Sequence, residues 1–369
     1  MQGRSICHKL QRTEHQQQKM DSNTPRTALA ETSKEGEFKR TASGWRNWLS
    51  KDETNVFQPE PNRYHLYVAY ACPWAHRTII TRALKGLESI IYMTIVHPTW
   101  KKTKPENMED SHTGWVFGNP KGEMFHNSIG LGGPFPPSCP NNDPDPLFHS
   151  YSIRELYERS KDTFGKYSVP VLWDKKLNTI VNNESSEILR MFNSEFNDFA
   201  TNATLDLYPM ALRDEIDAVN EWVYTTINNG VYKCGFATTQ LAYDAAIVPL
   251  TESLDRVEDI LSKQRFLVGN VFTEADIRLF VTLLRYDEVY IVYFKCNTRS
   301  IRESVHTLNY LREIYQMDGI AETCNMDQIK MHYFTSHPNL NRFSIIPAGQ
   351  KFIELLQMPH NRNDLFPIS

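Results

Sequence analysis

One cysteine of the chain lies where a strand-like pattern changes to a helix-like one. Residues 65–70 are rich in β-branched and aromatic side chains, and Cys72 and Pro73 come shortly after them. Proline suits the first position of a helix, because the N–H group that it lacks would have no partner there. The sulfur of Cys72 would then lie near unpaired N–H groups and the positive end of the helix dipole, which favour the reactive thiolate. This spacing predicts a nucleophilic cysteine; a buried, inert thiol is the alternative.

The residue three positions after Cys72 indicates how such a nucleophile would turn over. Ala75 stands where a C-x-x-C site has its second cysteine. An intramolecular disulfide therefore cannot form at this place, and the resolving thiol must come from another molecule. Glutathione, the abundant thiol of the cytosol, is the candidate for that partner.

A Val-Pro pair offers a place for the backbone of such a tripeptide. Pro170 lies at the start of a predicted strand, where a proline removes one donor of the ladder. In thioredoxin-like layers this place holds a cis proline that faces the active cysteine. Val169 would then keep its backbone groups free to pair with an extended peptide. A trans proline at an edge strand is the alternative.

A strand-to-helix junction offers a place for the charged end of a γ-glutamyl group. Glu184 and Ser185 follow two asparagines at the point where a predicted strand passes into a helix. Ser185 and the local N–H groups can hold a carboxylate, and Glu184 can face an amine. A simple helix cap is the alternative.

The elements that would position these residues form two groups. The first half reads as strand, helix, strand, long loop, helix, two strands and helix, which is the order of a thioredoxin-like α/β domain with a mixed four-stranded sheet. Residues 99–149 carry eight of the twenty prolines and six glycines, and are predicted to be an inserted loop. The second half has apolar residues at helical spacing over 212–227 and 243–261, which predicts an all-α helical bundle. Thr273 and Asp276 form a capping-box pattern at the start of a further helix.

These patterns predict the following organisation: a disordered tail at 1–40, a thioredoxin-like domain at 41–200 with its insert at 99–149, an all-α acceptor-binding domain at 205–340, and a C-terminal wrapping tail at 341–369. The first forty residues are assigned to a tail because Phe38 is their single aromatic residue.

Composition excludes several classes of protein. The 369 residues carry a net charge of −4, which offers no general field for nucleic acid or an anionic membrane. The longest apolar stretch, near residues 90–96, is far shorter than the roughly 18 to 20 residues of a membrane span. Residues 1–20 lack the apolar core of a secretory signal, so we expect a cytoplasmic protein, with mitochondrial import as the lesser alternative. The six cysteines are scattered without metal-ligand spacing, so we expect reduced thiols and no metal.

Several short motifs recur in order along the chain. They are C-P-W-A-H-R-T at 72–78, G-W-x-F at 114–117, V-P-V-L-W-D at 169–174, N-N-E-S at 182–185, N-N-G-V-Y-K at 228–233, E-A-D-x-R-L-F at 274–280, F-K-C-N at 294–297 and S-H-P at 336–338. With this ordered series the chain resembles the glutathione transferase superfamily, specifically the fungal omega-like proteins and the xi class of glutathionyl-hydroquinone reductases. The resemblance covers roughly residues 64–347.

The resemblance implies a glutathione site. Cys72 would be the nucleophile, Trp115 would pack on glutathione, and Val169 before Pro170 would pair with its cysteinyl backbone. Glu184 and Ser185 would hold its γ-glutamyl end. Lys166 stands where an arginine is expected, and the two cations are not equivalent toward a planar carboxylate; whether Lys166 binds glutathione is left open.

The resemblance also implies roles for three tyrosines. Tyr232 would exchange a proton with the aromatic product, while Tyr290 and Tyr333 would support ionisation of the thiol. Taken singly, each of these side chains is expected in the core. A homodimer is implied by analogy alone.

The leading hypothesis is an enzyme that removes glutathione from glutathionyl-hydroquinones through a Cys72–glutathione mixed disulfide and releases oxidised glutathione. Its partners would be glutathione, as cosubstrate, and a small aromatic or disulfide acceptor. The first alternative is an omega-like transferase with thioltransferase and dehydroascorbate reductase activity. The second is a non-catalytic protein that binds glutathione.

Overall fold

The structure is a computed structural model that describes residues 31–367. Its first part contains, in chain order, β1 (Tyr64–Val68), α1 (Pro73–Leu84), β2 (Tyr92–Ile95), β3 (Lys101–Lys102), β4 (Thr113–Gly114), α2 (Ile153–Arg159), β5 (Val171–Asp174), β6 (Thr179–Asn182) and α3 (Ser185–Ser194). This is the predicted order of elements.

The main sheet has four strands in the order β2-β1-β5-β6. β1 pairs parallel to β2 and antiparallel to β5, and β5 pairs antiparallel to β6. The predicted mixed four-stranded sheet is therefore confirmed. All five residues of β1 are buried, because it lies in the middle of the sheet and α1 packs against it. The end of β1 delivers the chain to Cys72 at the start of α1.

The second part is helical. It contains α4 (Arg213–Trp222), α5 (Gly230–Phe236), α6 (Gln240–Leu261), α7 (Glu274–Arg285), α8 (Ile291–Tyr293), α9 (Val305–Tyr315), α10 (Met326–Ser336), α11 (Phe352–Leu356) and α12 (Arg362–Leu365). Two π-helical segments, Val223–Asn228 and Tyr286–Tyr290, join α4 to α5 and α7 to α8. Thr273 and Asp276 form the predicted capping box at the start of α7. The predicted α/β part followed by a helical part is confirmed.

The insert at 99–149 is mostly irregular, apart from β3 and β4, which pair with each other. It is nevertheless tied to the helical part. Asn127 Nδ2 donates to Ser344 Oγ at 2.8 Å, and Thr99 and Thr335 hydroxyls lie 2.7 Å apart. Trp100 lies in the same region, where its backbone N–H group donates to Ser336 Oγ at 3.0 Å. The insert therefore helps to join the two parts around the site.

The segment Glu31–Asn47, which we call the strap, crosses both parts of the molecule. Phe38 is 2% exposed and packs with the helical core, and Asn47 N–H donates to Val181 O of β6 at 3.1 Å. The prediction of a disordered tail over 1–40 is wrong for residues 31–40, because one buried aromatic ring and several polar contacts hold them. Residues 1–30 of that prediction lie outside the described residues.

The residues after α10 return to the helical part. Phe352 and Leu356 of α11 are fully buried, and the Arg362 guanidinium donates to Leu261 O at 3.0 Å. Within residues 31–367, no helix is both long and apolar enough to cross a membrane.

A buried ion pair at the edge of β1 generates a stability prediction. Arg63 and Asp174 are 4% and 0% exposed, and their closest nitrogen and oxygen lie 2.6 Å apart. In Arg63→Met the Asp174 carboxylate would stay buried without its cation, so we expect the free energy of unfolding to fall by about 3 kcal/mol in urea denaturation. Lys176→Met, which removes an exposed partner of Glu60, is the control and should change it by less than about 1 kcal/mol. Equal losses in both variants would contradict this assignment.

Candidate active site

Cys72 is the N-cap residue of α1. Its backbone is extended, with φ −77° and ψ 116°, and Pro73 opens the helix as predicted. The Sγ atom lies 3.5 Å from Val169 O, and the side chain is 8% exposed. The sulfur thus sits between the start of a helix and the Val-Pro pair, which is the predicted juxtaposition.

Arg285, at the end of α7, fixes the backbone just before this cysteine. It is fully buried, and its guanidinium donates to Tyr70 O at 2.8 Å and to Ala71 O at 3.1 Å. A buried guanidinium is stable only with such partners. The helical part therefore holds the turn that presents Cys72.

Burial raises the pKa of the Cys72 thiol above its ordinary value. Backbone groups of Ala75 and Trp74 and the charges of Arg285 and Arg40 lower it, but only in part. The sequence predicts a lowered pKa for Cys72 because only the start of the helix is visible in it. Desolvation, which disfavours any charged form, is the opposing effect that the sequence pattern does not reveal.

The Val169–Pro170 peptide bond is cis, as predicted. Both residues line a side trench whose empty volume is about 490 Å³. The trench is lined by Arg40, Thr41, Ala42, Ser43, Trp74, Lys166, Ser168, Val169, Pro170, Asn183, Glu184, Ser185 and Tyr224. It brings the Val-Pro pair together with the strand-to-helix junction.

Glu184 and Ser185 lie at the start of α3, as predicted. The Glu184 carboxylate accepts from Ser186 N at 3.2 Å and from Ser43 Oγ of the strap at 3.1 Å. Burial raises its pKa, but the Ser186 N–H and the charge of Arg77 outweigh that effect and hold the pKa below its usual value. Ser185 Oγ is buried and has no partner within the described residues. This hydroxyl and the Glu184 anion fit a ligand that carries both a carboxylate and an amine.

Lys166 is engaged by the strap. Its Nζ atom contacts Glu31 Oε1, forming an ion pair, and donates to Thr41 O at 2.7 Å. The Glu31 side chain is only 3% exposed. Lys166 lies beside the trench as expected, yet its charge is already paired with a carboxylate of the same chain.

A larger cavity, the thiol pocket, opens above Cys72 and has an empty volume of about 770 Å³. Its wall is formed by Glu31, Arg40, Cys72, Pro73, Trp74, Trp100, His112, Thr113, Gly114, Trp115, Lys166, Tyr167, Ser168, Val169, Tyr232, Phe236, His332, Tyr333 and His337. Trp115 lies on this wall and stacks on His332, with ring centres 4.5 Å apart. An aromatic cavity of this size suits a planar, largely apolar ligand.

The three predicted tyrosines form one chain of hydroxyl groups. The hydroxyls of Tyr232 and Tyr333 lie 2.7 Å apart, and those of Tyr290 and Tyr333 lie 3.0 Å apart. Burial raises the pKa of all three phenols. Tyr232 and Tyr333 line the thiol pocket, whereas Tyr290 is not among the residues of its wall and packs against both of them.

Two histidines of the pocket wall, His332 and His337, are neutral near neutral pH. Burial lowers the pKa of His332 well below its ordinary value and that of His337 to about 4. Within residues 31–367, no group of three or more His, Cys, Asp or Glu side chains is placed to hold a metal ion.

Sequence reasoning missed three residues of the site. Arg40 was assigned to a tail, and His332 has no distinguishing neighbours in the sequence. Arg285 left a signal: it falls eight residues after Ile277, on the apolar face of α7. A cation at such a position of an otherwise apolar stripe indicates a buried polar contact.

We compared the chain with models of known protein families and with known proteins. The family model described as "Glutathione S-transferase, N-terminal domain" matches residues 71–195, and "Glutathione S-transferase, C-terminal domain" matches residues 240–312. The Escherichia coli (strain K12) protein named glutathionyl-hydroquinone reductase YqjG is 45% identical, covering 90% of this chain and 94% of that protein. Glutathione S-transferase omega-like 2 of Schizosaccharomyces pombe is 43% identical, covering 86% and 95%.

Solved structures of glutathione transferases are also similar to this chain. The glutathione-S-transferase Xi from Phanerochaete chrysosporium is 48% identical with a TM-score of 0.76, covering 87% of this chain and 95% of that one. The glutathione-bound structure of YqjG from Escherichia coli K-12 is 44% identical with a TM-score of 0.76, covering 88% and 97%. The chain therefore belongs to the glutathione S-transferase superfamily, among its xi-class and omega-like members.

Proposed function

We propose that this protein is a glutathione-dependent reductase that removes glutathione from glutathionyl-hydroquinones. The observation that carries the proposal is that Cys72 and Tyr232, whose hydroxyl is paired with that of Tyr333, line one aromatic pocket. A nucleophile and a proton donor thus share the cavity in which an aromatic group would fit. Two relatives, at 45% and 40% identity, are named glutathionyl-hydroquinone reductases, which supports this assignment.

In this proposal the side trench holds the glutathionyl part of the substrate. Ser185 Oγ, which has no partner among the described residues, would donate to the γ-glutamyl carboxylate, and Glu184 would accept from the amine. The backbone of Val169 would pair with the cysteinyl residue. The aromatic part would lie in the thiol pocket beside Trp115.

The first step transfers the glutathionyl group to the enzyme. The Cys72 thiolate attacks the sulfur of the bound thioether, the bond from sulfur to the ring carbon breaks, and that carbon takes the proton of Tyr232. The hydroquinone leaves, Cys72 becomes a mixed disulfide with glutathione, and Tyr232 is left as a phenolate.

The second step restores the enzyme. A second glutathione gives its thiol proton to the Tyr232 phenolate and attacks the mixed disulfide as a thiolate. Oxidised glutathione leaves and the Cys72 thiolate returns. Because one product leaves before the second glutathione reacts, ping-pong kinetics follow.

Two other functions use the same residues differently. An omega-like thioltransferase or dehydroascorbate reductase would need Cys72 and the trench but not a proton from Tyr232. A non-catalytic glutathione-binding protein would need only the trench. The experiments below separate the three.

Incubation with oxidised glutathione tests whether Cys72 is the reacting thiol. We expect intact mass spectrometry to detect one added glutathionyl group, and peptide mapping to place it on Cys72. Cys72→Ser should remain unmodified, lose turnover, and still bind glutathione in calorimetry. Modification of another cysteine, or turnover by Cys72→Ser, would contradict the proposal.

Replacement of Tyr232 by Phe tests the proton transfer. The ring would be kept and the donor lost, so we expect kcat for a glutathionyl-hydroquinone to fall about 100-fold or more. Transfer to a small disulfide, which needs no proton on carbon, should change little. Tyr243→Phe, which removes a surface hydroxyl bonded to Lys295 O, is the matched control. Equal rates in wild type and Tyr232→Phe would favour the omega-like alternative.

Burial of Cys72 predicts a pH dependence. Because the pKa of the thiol is raised, the thiolate is the minor form at neutral pH, and its fraction grows about tenfold for each pH unit below that pKa. Alkylation of Cys72 by iodoacetamide in the glutathione-free protein should therefore keep rising over roughly pH 6 to 8.5. The rate is measured on the Cys72 peptide by mass spectrometry. A plateau reached near neutral pH would show that the surrounding positive charges outweigh burial.

A further inference from the structure

We propose that Arg40 of the strap is a positioning residue for the reaction, whose charge acts through Cys72 and Tyr232 to stabilise the negative charge that passes between them. This inference rests on the proposed function of the same pocket.

Three aromatic rings enclose the Arg40 guanidinium. Its central carbon lies 4.7 Å from the ring centre of Tyr232, 4.8 Å from that of Trp74 and 5.1 Å from that of Phe38. A cation over aromatic faces is attracted by their electron density, and more strongly when water is excluded. The cage therefore fixes a positive charge against the proposed proton donor.

The hydrogen bond of Arg40 to Asn229 does not use all the donors of its guanidinium. Nε donates to Asn229 Oδ1 at 2.8 Å, which orients the guanidinium, while Nη2 is buried and has no partner within the described residues. Arg40 lines both the thiol pocket and the side trench. A buried unsatisfied guanidinium donor is unfavourable unless an anion meets it during function.

The charged side chains near Arg40 interact with other partners. Glu31 pairs with Lys166, and Glu184 accepts from Ser43 and Ser186. Arg285, from α7, donates to backbone carbonyls, and His332 and His337 are neutral near physiological pH. In the part of the chain that the structure describes, Arg40 forms no ion pair. Its charge is thus available to the reacting groups.

The strap holds Arg40 at a fixed place. On one side Phe38 is buried in the helical core, and on the other Ser43 bonds to Glu184. Thr41, between them, accepts from Lys166 through its carbonyl oxygen. Because residues before and after Arg40 are fixed, its guanidinium needs little reorganisation when negative charge develops nearby.

The charge balance of the first step explains why this place matters. The negative charge begins on the Cys72 sulfur and, once the ring carbon has taken the proton, ends on the Tyr232 oxygen. Arg40 lowers the pKa of both groups, although burial keeps each above its ordinary value. One fixed cation therefore favours the anion before and after the transfer.

The test compares Arg40→Gln, Arg40→Lys and the control Arg46→Gln, which removes an exposed strap arginine paired with Glu187. Without any acceptor, we expect alkylation of Cys72 near neutral pH to be about tenfold slower in Arg40→Gln than in wild type. Arg40→Lys keeps a cation, which aromatic faces also attract, so its alkylation rate should stay within about threefold of wild type. Arg46→Gln should match wild type.

Two results would overturn the inference. One is an unchanged alkylation rate in Arg40→Gln; the other is an equal loss in Arg40→Gln and Arg40→Lys together with a lowered melting temperature, which indicates a structural role alone. Because alkylation needs no hydroquinone, this readout is independent of the proposed function. A protein that fails to turn over glutathionyl-hydroquinones while its alkylation depends on the charge at position 40 would contradict the proposed function and the part of the inference that concerns Tyr232, but not the effect of Arg40 on Cys72.

Discussion

A sulfur enclosed by protein must become an anion before it can attack another sulfur, and losing water opposes that change. Groups from three parts of the chain stabilise the thiolate of Cys72 against this loss of water. The start of α1 supplies N–H groups, the helical part supplies Arg285, and the strap supplies Arg40. The reacting centre therefore belongs to neither domain alone.

Local patterns were enough to predict what lies within a few residues of each motif. Cys72 before Pro73, the cis bond before Pro170 and the capping box of α7 follow from backbone chemistry that a short window of sequence contains. The order of strands and helices follows from the same windows. These features depend on neighbours along the chain, so they can be predicted without knowing the packing.

Features that depend on distant contacts were predicted less well. Lys166 lies where expected, but its pairing with Glu31 joins residues 135 positions apart. The first forty residues have, taken together, the composition of a disordered segment. Composition does not reveal that one of them, Phe38, packs in the helical core. The resemblance implies that Tyr290 supports ionisation of the thiol, yet Tyr290 is not among the residues of the pocket wall and packs behind Tyr232 and Tyr333. The hydroxyl chain could be inferred only from resemblance, because no spacing places these residues together.

The course of the strap has a practical consequence for how preparations of this protein are compared. A protease that cuts between Arg40 and Trp45 would separate Arg40 from the chain that carries Cys72 and Tyr232. Arg40 would then be held only by noncovalent contacts, such as the burial of Phe38 and the hydrogen bond from Arg40 Nε to Asn229 Oδ1. If that fragment is lost, the role proposed for Arg40 predicts a less reactive thiol in a protein that keeps most of its fold. Batch-to-batch differences in specific activity should therefore be checked first by sequencing the amino terminus.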